Sequence, residues 1–394
     1  MALLLLVFFL LLPSRLFSAE DYILFISSFD THQIWPVAVE NSFRSKIDKS
    51  GYNLRVTSEY LNVNHLSPPD TWLELMRTIL KHYTEKPPKI VVLLADEAWI
   101  TFRKAYNGEF GDVPIILCSG KEYTIDFDLL FDKSSITWND LIPTSSLTNN
   151  YNVTGIIDVP KIEETIRFMQ RLQPEMDEVA LISDSRFYGM YVALQTQEVM
   201  RKKFPNYKLN MLDGRFLSAD SLHARLKMLP PNSSILLASW LLNVSRGFEN
   251  YAVGHEKIVD LANRPVFSLY DWGVLNRLFM GGYRVESESY STAAISIVDR
   301  IMKGESASDI PFTEDFGEVN YFLNAQLIEK YDINPALIPD DVILFNLPEG
   351  FLSKYKVQII YVLLVVLVVI SALLVSLLRS QNLQIGRASC RERV

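Results

Sequence analysis

Apolar positions along this chain fall into three patterns, and each predicts a different kind of element. Short β-rich runs, several of them continuously apolar, come first: YILFISS (22–28), LRVTSEY (54–60), IVVLLA (90–95) and PIILCS (114–119). A second series follows: VTGII (153–157), EVALISD (178–184), YKLNMLD (207–213), SILLASW (234–240) and PVFSLY (265–270). Continuous apolar character at strand length is expected where both faces of a parallel sheet are covered by helices. Between the runs the period changes to that of an amphipathic helix. In VPKIEETIRFMQRLQP, Ile162, Ile166, Met169 and Leu172 fall on one stripe, with Asp158 placed to cap the start and Pro174 to end it. In SESYSTAAISIVDRIMKGE, Tyr290, Ala294, Ile297 and Ile301 make another stripe, stopped by Gly304. Alternating strand and helix predicts an α/β fold with parallel sheets.

The third pattern is the long apolar run, found at both ends. Leu3 to Leu12 is too short to span a bilayer and has the length of a secretory signal core, with Ala19 suited to the residue before cleavage. Val357 to Leu378 carries no charge and no polar face, so it predicts a transmembrane helix. Lys354 and Lys356 on one side and Arg379 on the other do not set its direction. A signal peptide over 1–19 does: residues 20–356 are expected outside, and the C-terminus inside.

An outer part of this length suits two lobes. The polar stretch between Lys121 and Asn152 breaks the rhythm, so the first crossing between lobes is expected near its end and a second near 271–281. Lobe 1 is then about 20–150 and 277–312, and lobe 2 about 151–276 and 313–350. A formal charge of −8 argues against a nucleic-acid partner. The two cysteines, Cys118 and Cys390, fall on opposite sides of the expected membrane helix and so form no disulfide framework.

In open α/β sheets, ligands bind beyond the carboxyl ends of the strands. Reading those ends yields Ser28, Phe29, Asp30 and Trp35 after the first strand, Asp96 and Glu97 after the third, and Ser119 at the fourth. The second series adds Asp184, Ser185 and Tyr188, then Trp240, then Tyr270 and Asp271. Hydroxyls, carboxylates and rings in that mixture suit a small polar ligand, with sugars, amines and amino acids all compatible. The plainer alternative makes Trp35, Trp99, Trp240 and Trp272 core or hinge packing, and Asp96 and Asp184 helix caps. Asp96 and Glu97, read as neighbours on an extended strand, are expected to face opposite ways. No nucleotide-binding glycine motif, metalloprotease motif or nucleophile elbow is present, and the five histidines have no metal-ligand spacing. No enzymatic activity, cofactor or metal is therefore expected of this chain.

Three stretches carry a family resemblance. ILFISSFDTHQIWP looks like the opening strand and loop of periplasmic substrate-binding-like sensor domains. NVTGIIDVPKIEETIRFMQRLQPEMDEVALISDSRFYG is similar to their entry into the second lobe. FMGGYRVESESYSTAAISIVDRIMKGESASDIPF resembles their late segment, with a Gly-Gly turn followed by an Ala-containing helix. The resemblance covers roughly Asp21 to Ile333 and implies the two-lobed type I periplasmic-binding-protein fold. Such a domain fused to a C-terminal transmembrane helix resembles the sensory half of a bacterial (hybrid) sensor histidine kinase. LLRSQNLQ then looks like the start of a cytoplasmic helix (379–384). IGRASCRERV (385–394) resembles a recurrent artefactual tail. The resemblance implies a homodimer in the inner membrane, with a kinase core and a response regulator as further partners. Two other functions stay open: a membrane-anchored solute-binding protein serving an ABC transporter, and an exported, anchored hydrolase.

Overall fold

A computed structural model describes residues 21–65, 68–132, 134–245, 251–270, 278–314, 316–347 and 355–391. The chain divides into two units, Met1–Phe345 and Asn346–Val394. The first holds two sheets. One is all parallel, in the order β2-β1-β3-β4-β7, formed by β1 (Asp21–Ser27), β2 (Leu54–Tyr60), β3 (Ile90–Leu94), β4 (Ile115–Gly120) and β7 (Val153–Ile157). A small hairpin of β5 (Tyr123–Thr124) and β6 (Ile142–Pro143) stands apart from it.

Alternation along the central strands divides the core of this first lobe. Ile23 and Phe25 of β1, with Ile90, Val92 and Leu94 of β3, join Val39, Phe43 and Ile47 of helix α1 (Ile34–Lys49). Leu24, Ile26, Val91 and Leu93 point to the other face, toward α2 (Pro69–His82) and α3 (Asp96–Ala105). With period 2 and a helix layer on each side, every residue of β3 has to be apolar, and IVVLL meets that demand.

The second sheet has the order β14-β13-β12-β11-β10-β8-β9. It contains β8 (Glu178–Ser183), β9 (Lys208–Asp213), β10 (Ser233–Leu237), β11 (Val266–Ser268), β12 (Gly281–Val285), β13 (Val319–Asn324) and β14 (Ile343–Phe345). All neighbours are parallel except β12 and β13. Helices α4 (Ile162–Leu172) and α5 (Phe187–Lys203) cover one face, and α6 (Ala219–Leu226) and α7 (Tyr251–Leu261) lie in sequence among the strands of the same lobe. On α4 the expected stripe is buried, with Thr165 and Phe168 beside it.

The sheets move two boundaries expected from the sequence. VTGII does not open the second lobe; it is the last strand of the first sheet. Parallel strands need a long crossover, and the polar stretch after β4 is that crossover, built of three short 3-10 turns and the β5–β6 hairpin. Pairing of β7 with β4 runs over an irregularity between Leu117 and Gly120. A side chain on Gly155 would strike the backbone of Leu117 there. Gly155→Ala is expected to cost about 3 kcal/mol through overpacking, measured by urea unfolding of the full chain.

The second correction concerns Gly281 and Gly282, expected as a turn. They open β12 instead, between β11 and β13, where the carbonyls of Phe322 and Ser268 approach too closely for any Cβ. After β12 the chain returns to lobe 1 as α8 (Ser287–Met302), whose Tyr290, Ala294, Ile297 and Val298 pack with α1. Thr313 then bridges Gly155 and Ile157 of β7, before β13 re-enters lobe 2. The lobes are therefore joined by three strands of chain: after Ile157, after Val285 and after Thr313.

The sheet of lobe 2 closes with the short α9 (Ala325–Lys330) and edge strand β14. In the second unit, α10 runs over Lys356–Arg391. Its Lys356–Ser380 portion is long and apolar enough to cross a membrane. The helix continues past the apolar run through a tail that shows no apolar period in the sequence. Its Leu, Gln, Arg and Ala residues favour helix by propensity alone. The signal peptide expected over 1–19 lies outside the described residues.

Candidate functional site

A cavity opens between the two lobes, walled by residues that follow strand carboxyl ends. From lobe 1 come Phe29 after β1 and Trp35 in the first turn of α1. Ala95, Asp96 and Glu97 follow β3, and Ser119 and Lys121 stand at the end of β4. Asp158, directly after β7, sits at a crossing between lobes. Lobe 2 supplies Arg186 and Tyr188 after β8 and Tyr270 after β11. A smaller cavity shares Trp35, Asp158 and Tyr270 and extends toward Val285 and Tyr290.

Both cations of the wall stand in buried ion pairs. The Lys121 ammonium lies 2.8 Å from Asp158 Oδ2 and stands over the rings of Tyr188 and Tyr270, at 5.3 and 6.0 Å from their centroids. Tyr270 Oη also donates to Asp158 Oδ2, at 3.4 Å. Across the cleft, Arg186 Nε donates to Asp184 Oδ2 at 2.7 Å, Nη1 to Asn64 Oδ1 at 3.0 Å, and Nη2 to Ser239 Oγ. Asn64 belongs to lobe 1, so Arg186 ties the lobes together, as do Lys121 with the two tyrosines and Tyr270 with Asp158.

Local sequence explains these positions. Asp184 is wholly buried, and its carboxylate also accepts from the backbone N–H groups of Arg186 and Leu241. The space it fills exists because residue 189 is glycine: a Cβ there would collide with Asp184. Two wall residues, Ala95 (φ 68°) and Ser119 (φ 65°), hold left-handed backbone conformations that non-glycine residues rarely adopt. Strain of this kind persists where the surroundings over-determine it, often beside ligands.

Asp96 and Glu97 do not face opposite ways. They form the first turn of α3 rather than an extension of β3, and successive helical positions let both reach the cavity. Asp96 is not the cap of its helix; Oδ1 accepts from the backbone N–H of Lys121 at 2.9 Å. Burial pushes the Asp96 carboxyl up to about 7, against the opposing pull of Lys121. Burial likewise raises the hydroxyls of Tyr188 and Tyr270 well above the usual tyrosine range.

Of the residues expected at the site, Phe29, Trp35, Asp96, Glu97, Ser119, Tyr188 and Tyr270 line the cavity. Ser28 is buried behind it, its Oγ donating to Leu94 O and accepting from Ala98 N. Asp30 turns away to His32 and His65. Asp184 orients Arg186 without lining the wall, and Ser185 lies beside the pair, outside the wall. Trp240 packs in the core of lobe 2 among Leu212, Leu222 and Phe279. Trp99 is core in lobe 1. Asp271 and Trp272 lie outside the described residues. The strand-end reading did not include Lys121, Asp158 or Arg186; Asp158 was expected to cap α4 and pairs with Lys121 instead.

No protein-family model matches the chain, and no curated protein matches it. Solved structures do share its architecture. A conserved domain protein from Vibrio cholerae matches at TM-score 0.59 and 13% identity, over 82% of this chain and 99% of that one. An ABC domain in complex with L-Trp from Streptococcus pneumonia matches at TM-score 0.58 and 13% identity, over 82% and 100%. The ligand-free, open structure of a substrate binding protein with adhesive properties from Clostridium difficile matches at TM-score 0.57 and 11% identity, over 83% and 100%. At these identities the likeness is one of fold: two α/β lobes, with parallel sheets flanked by helices.

Proposed function

We propose, from the type I periplasmic-binding fold of this chain, that it is a non-catalytic receptor binding a small ligand between its lobes. The observation that carries this reading is the cleft itself, walled from both lobes and crossed by the Arg186–Asn64 and Tyr270–Asp158 hydrogen bonds. A ligand seated there touches both lobes at once, so it binds the closed form better than any open one and shifts the balance toward closure. The apolar stretch Lys356–Ser380 supports a sensory role, in which closure is passed through a membrane helix. In that role the chain is the extracytoplasmic half of a homodimeric sensor histidine kinase of the inner membrane, acting on a response regulator. A membrane-anchored solute-binding protein serving an ABC transporter is the second reading, favoured by the fold shared with the ABC domain and the substrate binding protein above.

Ligand binding is tested by thermal melting of the full chain in lipid nanodiscs against a broad metabolite set. A true ligand raises the melting midpoint in step with the logarithm of its concentration, gaining about 2.7 kcal/mol at a hundredfold excess over Kd. No shift from any compound would defeat both readings. Sequencing the gene beyond the codon for Gln384 separates them: a continuing frame with a kinase core supports the sensor, and a permease gene alongside supports transport.

A further inference from the structure

Resting on the reading of the cleft as a ligand site, we propose that its ligand is a small organic cation. The ligand is a compact amine whose charge meets Glu97 and whose apolar body lies against Phe29 and Trp35. Glu97 is 2% exposed and lines the cavity, yet it accepts no hydrogen bond and joins no ion pair among the described residues. A carboxylate that faces the cavity without a protein partner is open to an ammonium group placed beside it. Asp96, next to it in the first turn of α3, adds a second carboxyl group to the same wall.

Both cations of the wall are already engaged. Lys121 is held by Asp158, and Arg186 is held through each kind of nitrogen by Asp184, Asn64 and Ser239. A ligand carboxylate would meet cations whose charge is already balanced, and would add a further negative charge beside Glu97. A neutral hydroxyl could donate to Glu97 but would leave its charge uncompensated. An amine alone completes the balance.

The rings point the same way. Tyr188 and Tyr270 meet edge to face at 4.9 Å and already host the Lys121 ammonium. Phe29 and Trp35 form a second edge-to-face pair at 6.4 Å on the lobe 1 side. Aromatic walls attract organic cations through the ring quadrupole as well as by apolar contact.

The test is calorimetric titration of the full chain in nanodiscs with four probes of matched shape: phenethylamine, 2-phenylethanol, 3-phenylpropionate and phenylalanine. Phenethylamine is expected to bind at least tenfold more tightly than the other three. Glu97→Gln should abolish that preference while leaving the alcohol's weak affinity in place. The same variant should not lower the melting midpoint of the unliganded chain, since no hydrogen bond or ion pair among the described residues is lost; a fall would mean that Glu97 is held within the fold and would overturn the proposal. Preference for the alcohol, the acid or the zwitterion would overturn it too, with ligand binding as such intact. If no probe binds and no metabolite shifts the melt, the receptor reading fails along with it.

Discussion

Asp184→Ala is expected to cost about 3–5 kcal/mol of stability, the range for removing one partner of a buried ion pair. The carboxylate is wholly buried and takes four hydrogen bonds: from Arg186 Nε at 2.7 Å, Ser239 Oγ at 2.7 Å, Arg186 N at 3.1 Å and Leu241 N at 3.2 Å. Alanine would leave a guanidinium, 4% exposed as a residue, without its counter-charge, and the Ser239 O–H without its acceptor. Asp184→Asn keeps two acceptor lone pairs and should cost less. Adding Arg186→Met to Asp184→Ala should recover part of the loss, because the stranded charge goes with it. Urea unfolding of the three variants decides the matter. A loss below about 1 kcal/mol for alanine would mean that water reaches Arg186 and that the pair is not sealed.

The second large effect is a pH dependence centred on Asp96. Its carboxyl is raised from an ordinary 3.8 to about 7, chiefly by burial, with Glu97 and Asp158 adding to the rise and Lys121 opposing it. Between about pH 4 and 7 the folded chain holds a proton there that the unfolded chain has released. Stability from this group is therefore complete below pH 4, declines as pH climbs through 7, and is gone above it. At 1.36 kcal/mol per pKa unit the loss amounts to about 4 kcal/mol. Asparagine keeps the acceptor for the Lys121 N–H and cannot ionise. Asp96→Asn should therefore match the parent near pH 4 and exceed it at pH 8. Comparing variant with parent at each pH cancels the other titrating groups. A difference that stays constant from pH 4 to 8 would show that Asp96 ionises as an ordinary carboxylate.

Much of the scaffold was legible because burial on both faces leaves a strong trace. IVVLL can be little else than a central parallel strand, and the stripe of Ile162, Ile166, Met169 and Leu172 could only be one helix face. Lobe membership was less legible, since Val153–Ile157 has the same apolar character in either sheet. What assigns it is Gly155 fitting against Leu117, a long-range contact with no local signature. Strand ends located the cleft but not its charged pairs. Lys121 and Asp158 are 37 residues apart, and Arg186 and Asn64 are 122 apart. In sequence each looks like an ordinary solvated residue beside a strand. Trp240 shows the converse: it follows β10 as Tyr270 follows β11, but its side chain lies on the far face of the sheet, in the core shared with Ile258 and Phe279. One residue of register separates a wall from a core.

The order of strands in the second sheet has a mechanical consequence. The folded unit ends on β14, an edge strand held by parallel pairing of Ile343, Leu344 and Phe345 with β13. That strand is therefore held from one side only, by three residue pairs, so a pull on its end opens it as an edge, and its release would leave β13 with unpaired N–H and C=O groups.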